Sequence, residues 1–361
     1  MAFSLPDPRR WLTFVPETLQ ASPLYTQIWT HLQEDTDLLP LLRLVDADQP
    51  WPITFFTAIN YLVLAEPEAP LARFYPYLYP QQTRLASQVY PFFRAFVLEH
   101  RETLRSLLPT ARLQTNEVTR CANLLPAFVL AYRRGGSQPL HMVEIGSSAG
   151  LNLRWYRYGY RYHCKNPVQD QRVNDPTAPV QLSCELDGQS GFPFPANVTL
   201  PRVARCQGIE ICPRELHSEE DMRWVRAAIW PEEVARHHTL DAALAFARTT
   251  PAPLYRGDAC DLLPQLLAAI PTTHTPLVWH SYAVNQGPVA VKERLHAQML
   301  VASRRLPLYR VGLEVGPSRP PQVELSEYRD GLVVRHEVLA QCSLHGERMT
   351  WLADPGIWTR W

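Results

Sequence analysis

At 361 residues and 46% hydrophobic side chains, the chain reads as a globular protein of two domains, or of one large domain with an appended region. Lys plus Arg equals Asp plus Glu at 35 each, so no overall field draws it to nucleic acid or to an anionic membrane, and neither is expected as a partner. Seven cysteines, an odd number without a C-x-x-C pair, indicate neither a disulfide framework nor a zinc site, and no metal is expected.

The opening M-A-F-S-L-P-D-P-R-R lacks the basic start and apolar core of a secretory signal. The longest apolar stretch, Ile53 to Ala65, is too short to span a bilayer and holds Asn60, so a cytoplasmic location is expected. From Ser22 to about Leu108 the pattern is helical: Ser22 can cap a helix with Pro23 at its first position, and further helices are expected at Leu38 to Val45, Trp51 to Ala65 and Ala86 to Leu107. The 34 prolines are spread along the chain and mark no single linker. This gives an all-helical N-terminal region over residues 1–112.

In Q-T-N-E-V-T-R-C-A-N-L-L-P-A-F-V-L-A-Y-R-R-G-G, Thr115 or Asn116 can cap a helix that runs to Arg134, with Pro126 as a kink and Gly135-Gly136 as the stop. Gln114, Thr115, Asn116, Glu117 and Arg120 form a dense polar group before the apolar helix: a capping cluster with one salt bridge, or groups that face a ligand.

The stretch H-M-V-E-I-G-S-S-A-G-L-N-L, His141 to Leu153, reads as strand, tight turn and helix, with Gly146 and Gly150 free to take backbone angles that side chains forbid. It matches two motifs. Glu144, Gly146, Ser148 and Gly150 fit an acidic-x-Gly-x-Gly-x-Gly loop in which Ser148 replaces the middle glycine. Gly146 to Gly150 also fit G-x-S-x-G, the nucleophile elbow, with Ser148 as nucleophile. Small residues that only let a strand and helix pack closely are the third possibility.

Leu151 to Tyr158 is expected as a helix that runs into the tyrosine-rich R-W-Y-R-Y-G-Y-R-Y, a packed aromatic face. Val180–Glu185 and Ala196–Leu200 alternate as strands around D-G-Q-S-G-F-P-F-P, which predicts a β-hairpin insertion over about residues 165–202. Then come a short strand ending in Glu210, helices at Glu219–Ile229 and Glu232–Arg248, a strand end at Asp258 in R-G-D-A-C-D-L-L-P, and Pro276 to Tyr282, a strand whose polar end is His280, Ser281 and Tyr282. Leu308–Val315, Val323–Tyr328, Leu332–Gln341 and Met349–Leu352 read as the last strands, with Arg329-Asp330-Gly331 as a hairpin turn. An acidic residue ending the second strand of a doubly wound sheet holds the ribose of a nucleoside cofactor, at a usual spacing of ~20 residues from the glycine loop. Glu210 lies much further on, as a large insertion would require.

From about Gln138 to the C-terminus this order of elements resembles the class I S-adenosylmethionine-dependent methyltransferases, an α/β, Rossmann-like sheet of seven strands with the last pair reversed, in a domain expected over residues 113–361. The resemblance implies that Glu144, Gly146, Ser148, Gly150 and Asn152 hold the methionine part of S-adenosylmethionine, Glu210 the ribose, and Asp258 with Ala259 the adenine. His280 and Tyr282 are then the catalytic candidates, and Gln114, Thr115, Asn116, Glu117, Arg120 and Ser281 face substrate or cofactor. W-H-S-Y differs from the N-P-P-Y end associated with methylation of bases, so a small-molecule acceptor is expected. The chain is also similar to an uncharacterised bacterial family, domain of unknown function 2332, through Q-T-N-E-V-T-R-C, E-I-G-S-S-A-G-L-N-L, R-W-V-R-A-A-I-W-P-E, R-G-D-A-C-D-L-L-P and H-G-E-R-M-T-W.

Two alternatives stand beside this reading. A serine hydrolase would pair Ser148 with Asp258 or Asp261 and with His280, His336 or His345. It leaves Glu144 and Glu210 without roles, and a nucleophile elbow normally comes after several strands, where this chain has helices. A non-catalytic nucleoside-binding or interaction module is the other.

Overall fold

The computed structural model describes residues 19, 21–81, 83–165, 168–187, 192–195, 198–316 and 319–358. In chain order the helices are α1 (Pro23–Leu32), α2 (Leu39–Leu42), α3 (Trp51–Ala65), α4 (Val89–Glu99), α5 (Arg101–Leu107), α6 (Arg120–Arg134), α7 (Glu219–Ala227), α8 (Val234–Thr249), α9 (Ala259–Ala268) and α10 (Val289–Ser303). The strands are β1 (Leu140–Ile145), β2 (Gly159–Lys165), β3 (Val168–Val173), β4 (Gln181–Leu186), β5 (Val203–Glu210), β6 (Leu254–Arg256), β7 (Thr275–Ser281), β8 (Leu308–Gly316), β9 (Arg319–Arg329), β10 (Leu332–Cys342) and β11 (Arg348–Trp351).

The described residues form two compact units. One takes the chain up to Thr115 together with His217–His238, and the other takes Asn116–Leu216 and everything from Thr239. The first unit is helical. Ser22 caps α1 by accepting a hydrogen bond from the Tyr25 N–H at 3.0 Å, with Pro23 supplying the preset first turn. α3 is apolar nearly all round and is accordingly a core helix. The expected single helix at Ala86–Leu107 is broken at His100, where the backbone leaves helical geometry between α4 and α5. α7, late in sequence, belongs to this unit: Asn60 Nδ2 donates to the Ala227 carbonyl at 3.2 Å, and Trp224 lies with its ring centroid 5.6 Å from that of Tyr61.

The second unit is built on one eleven-stranded sheet in the order β3-β2-β4-β11-β10-β9-β8-β7-β1-β5-β6. The five strands β8-β7-β1-β5-β6 are mutually parallel, and β1 lies between β7 and β5, so the order of connection reverses there. From β8 onward the strands form an antiparallel meander through β9, β10 and β11. One face of the parallel part packs Val143, Ile145 and Val278 against Cys260, Leu263 and Leu267 of α9 and Leu295 and Met299 of α10. On the other face Phe128 of α6 meets Trp279 and Trp155, with centroids 5.3 and 4.8 Å away.

The sheet is larger than the seven-stranded expectation: β2, β3 and β4 extend it at the far side of β11, and the antiparallel end is the four-strand meander β8 to β11 in place of the one reversed last pair expected. The hairpin in this region is β2–β3, which pairs Tyr160 through Lys165 with Val173 through Val168. It forms from the tyrosine-rich stretch: Tyr160, Tyr162 and Cys164 alternate inward, and the Tyr158, Tyr160 and Tyr162 hydroxyls donate to the carbonyls of Leu151, Trp155 and Ala122 at 2.5–2.6 Å. β4 occupies the first expected strand and pairs with β2 in parallel, while Val198–Leu200 carry no strand. The turn residues 188–191, Ala196 and the opening ten residues lie outside the described residues. No described helix is long and apolar enough to cross a membrane.

Candidate functional site

The buried strand β1 ends in the glycine turn, and the turn is tightly held. Gly146 (φ +77°) and Gly150 (φ +70°) take left-handed backbone, as does Ser148 (φ +51°). A Cβ on Gly146 would sit 2.4 Å from the Cβ of Ala283, so the loop after β7 closes directly on the turn. The turn's amides are used internally: Gly146 N and Ser147 N donate to the Ile209 carbonyl, Gly150 N to Ser147, Ser148 N to Glu210 Oε2 at 2.8 Å, and Leu151 N to Asn116 Oδ1 at 3.0 Å. The chain then enters the 3-10 helix Leu151–Arg157, seven residues long, in place of the expected α-helix with open N–H groups. It carries the buried Arg154, whose Nη1 donates back to the Gly150 carbonyl at 2.6 Å and whose Nε and Nη2 donate to the Thr250 and Ala247 carbonyls.

Paired residues of parallel strands point to the same side. Glu144 pairs with Trp279, so Glu144, Trp279 and Ser281 face α6, while His280 faces α9 and α10. Among the buried polar atoms without partners in the described residues are Glu144 Oε2 of β1, Ser281 Oγ of β7, Ser148 Oγ and Asn152 Oδ1 of the turn and the helix after it, and the hydroxyl of Tyr282, which follows β7. Glu144, Ser148 and Asn152 are no more than 4% exposed. Buried polar groups are almost always satisfied, so several orphans at the adjoining ends of β1 and β7 ask for a ligand or for water.

Burial pushes the Glu144 carboxyl well above the ordinary carboxylate range; the nearby Ser147 hydroxyl opposes this and the Glu210 charge adds to it. The protonated form so favoured can donate a hydrogen bond. Tyr282 has φ +54°, rare for an aromatic residue, and the Arg120 guanidinium lies 3.9 Å from its ring centroid. Burial raises the Tyr282 phenol and Arg120 only partly offsets it, which keeps it a donor.

Glu210 ends β5 with Oε1 accepting from Cys212 N at 3.2 Å, and it adjoins the glycine turn through Ser148. Asn116 and Arg120 reach the same region, Asn116 by bonding the turn where capping of its own helix was expected, for α6 begins only at Arg120. The Glu117 carboxylate accepts from Thr119 N at 3.4 Å. Gln114 and Thr115 belong to the helical unit. Asp258 is exposed and caps α9 by accepting from Cys260 N at 2.7 Å, and Ala259 is the first residue of that helix.

His280 is a buried partner of Glu314, Nδ1 to Oε1 at 2.6 Å, on the sheet face away from Glu144 and Ser281. His336 lies against Ser326 Oγ and His345 against Glu347, and none of the three imidazoles is hydrogen-bonded to Ser148 among the described residues. No group of three or more metal-binding side chains occurs among the described residues.

Glu314 has no place among the residues expected from sequence, although a glutamate inside the apolar run Leu308–Val315 is a signal of its own. It also accepts from Ala283 N and Val284 N at 3.2 and 3.1 Å, and so fastens the loop that closes on Gly146. Burial raises this carboxyl, but the His280 contact and the two amides more than reverse that, leaving it below its ordinary 4.5. A carboxylate with a lowered folded pKa stabilises the fold above about pH 4.5 and loses that contribution as pH falls through the folded value. Glu314→Gln is therefore expected to cost ~1–3 kcal/mol at pH 7 and to flatten the acid limb below pH 4.5 in denaturant titrations; an unchanged acid limb would contradict the assignment.

The profile of a bacterial family described as "Uncharacterized protein conserved in bacteria (DUF2332)" matches residues 15–351. No curated protein and no solved structure matches the chain.

Proposed function

The chain belongs to that bacterial family, DUF2332, which assigns no reaction, and from the site we propose that it is an S-adenosylmethionine-dependent methyltransferase acting on a small-molecule acceptor. The observation that carries the proposal is the set of buried polar atoms without partners among the described residues at and just beyond the ends of β1 and β7, where the strand order reverses. Ligands of open α/β sheets lie in the crevice outside the carboxyl ends of the strands at such a reversal. The residues present fit a nucleoside cofactor. The Glu210 carboxylate ends β5 beside the glycine turn, a group of the kind that accepts hydrogen bonds from ribose hydroxyls, and Glu144, Ser148 and Asn152 offer hydrogen bonds beside the turn.

When bound, the cofactor would supply an electrophilic methyl group on sulfonium sulfur. The chain's part is to orient and to exclude water. Ser281 lies on the face shared with Glu144 and Tyr282 packs its ring against Arg120, so they are better placed than His280 to position an acceptor; His280, carboxylate-bound on the opposite face, is assigned to holding β7 against β8.

Thermal unfolding with S-adenosylhomocysteine tests the reading. A ligand at one hundred times its Kd adds ~2.7 kcal/mol to folding, which raises the midpoint by several degrees. No rise at millimolar ligand counts against the proposal, and labelling of Ser148 by a fluorophosphonate would replace it with the hydrolase.

A further inference from the structure

β10 is paired with β9 along its length, from Leu332 opposite Arg329 to Gln341 opposite Gln322, but β11 covers only Ala340 to Cys342 and the Leu352 N–H takes the Leu339 carbonyl. The outer edge of β10 from Leu332 to Val338 is thus unpaired among the described residues. A cavity of about 440 Å³, bounded by Arg134, Arg335, Glu337 and Val338 on one side and by Ala353, Asp354 and Ile357 on the other, lies alongside it. Leu332, Val333 and Val334 are 64%, 41% and 52% exposed.

Exposed apolar strand edges are normally blunted, because their free N–H and C=O groups recruit another strand. This edge is also firmly held: the Asp330 and Gly331 amides at the hairpin tip donate to the Ser303 carbonyl and hydroxyl at 3.1 and 3.0 Å. The register with β9 is regular from Arg335 to Val338, after one irregularity beside Val334.

We infer that the outer edge of β10 pairs antiparallel with the same edge of a second copy of this chain, about a two-fold axis through His336. The charges choose this register. Centred on His336, Arg335 of each copy faces Glu337 of the other and Val334 faces Val338. Centred one residue either way, two arginines or two glutamates would stand opposite each other, which is unfavourable. β11 limits the pairing to residues 334–338. Glu337 remains available as acceptor while held by Arg134, since its side chain is 30% exposed.

The test is sedimentation of the full chain at about 50 μM, with Val334→Lys and Arg335→Glu, two changes at exposed positions. The wild type should be dimeric, and each variant should weaken the dimer at least tenfold, with its unfolding midpoint equal to the wild type's when both are diluted to monomer. In mild oxidant His336→Cys should crosslink to its mate, because directly opposed strand residues lie ~4.5–5.5 Å apart at Cα, within disulfide reach. Val334→Cys should not, its mate being ~13 Å away. A monomeric wild type, a dimer unaffected by either variant, or crosslinking at 334 in place of 336 would each overturn the inference.

Discussion

Gly146→Val is expected to lower folding stability by ~3–5 kcal/mol, enough to unfold a marginal protein. Two costs combine. At φ +77° an L-residue loses ~1–2 kcal/mol, more with a branched Cβ. The new Cβ would also stand 2.4 Å from the Cβ of Ala283, and overpacking of this kind costs typically ~1–3 kcal/mol. Gly146→Ala should lose less, and the pair Gly146→Ala with Ala283→Gly should recover the overlap but not the backbone strain. Denaturant midpoints at unchanged slope measure this. A Gly146→Val protein as stable as wild type would mean that the two strand-end loops do not meet as described. The substitution is consequently a poor probe of ligand binding, since it disturbs the fold first.

Glu210→Ala is expected to weaken S-adenosylmethionine binding by two to three powers of ten. Hydrogen bonds to a charged group contribute ~1.5–3 kcal/mol each, and on the proposed reading the carboxylate that holds the Ser148 and Cys212 amides also accepts from the ribose hydroxyls. Glu210→Gln keeps one acceptor oxygen and should lose roughly tenfold. Both variants need unfolding midpoints near wild type, so that lost affinity is not lost structure.

Much of the element order is legible because it rests on local chemistry. Ser22-Pro23 starts α1, Asp330-Gly331 turns β9 into β10, and Leu140–Ile145 is a buried strand before a glycine turn. Two helices of the sheet unit are hidden in the sequence pattern. α9 contains Pro264, which argues locally against a helix, and α10 has only Leu295, Met299 and Ser303 buried, so its apolar stripe is thin. The hairpin begins earlier than expected because Tyr160 and Tyr162 read only as part of a packed aromatic face after the helix, when their alternation is that of a strand with one face buried.

At the site, the glycine turn and Glu210 are readable as motifs. The side of the sheet on which each strand-end residue emerges is not, because a shift of one position decides it. For that reason His280, on the opposite face from Ser281, reads in sequence as a catalytic candidate beside Tyr282; Asp258 in G-D-A-C-D caps α9, a role that its motif does not separate from ligand binding. Glu314 and Ala283 act through contacts distant in sequence, which no motif carries.

The most direct measurement is calorimetric titration of the folded wild-type chain with S-adenosylhomocysteine, repeated on Glu210→Ala. The expected result is one site of micromolar affinity, about −8 kcal/mol, that disappears in the variant. No heat of binding to the wild type, or equal binding by both proteins, would contradict the assignment of a nucleoside-cofactor site at the glycine turn.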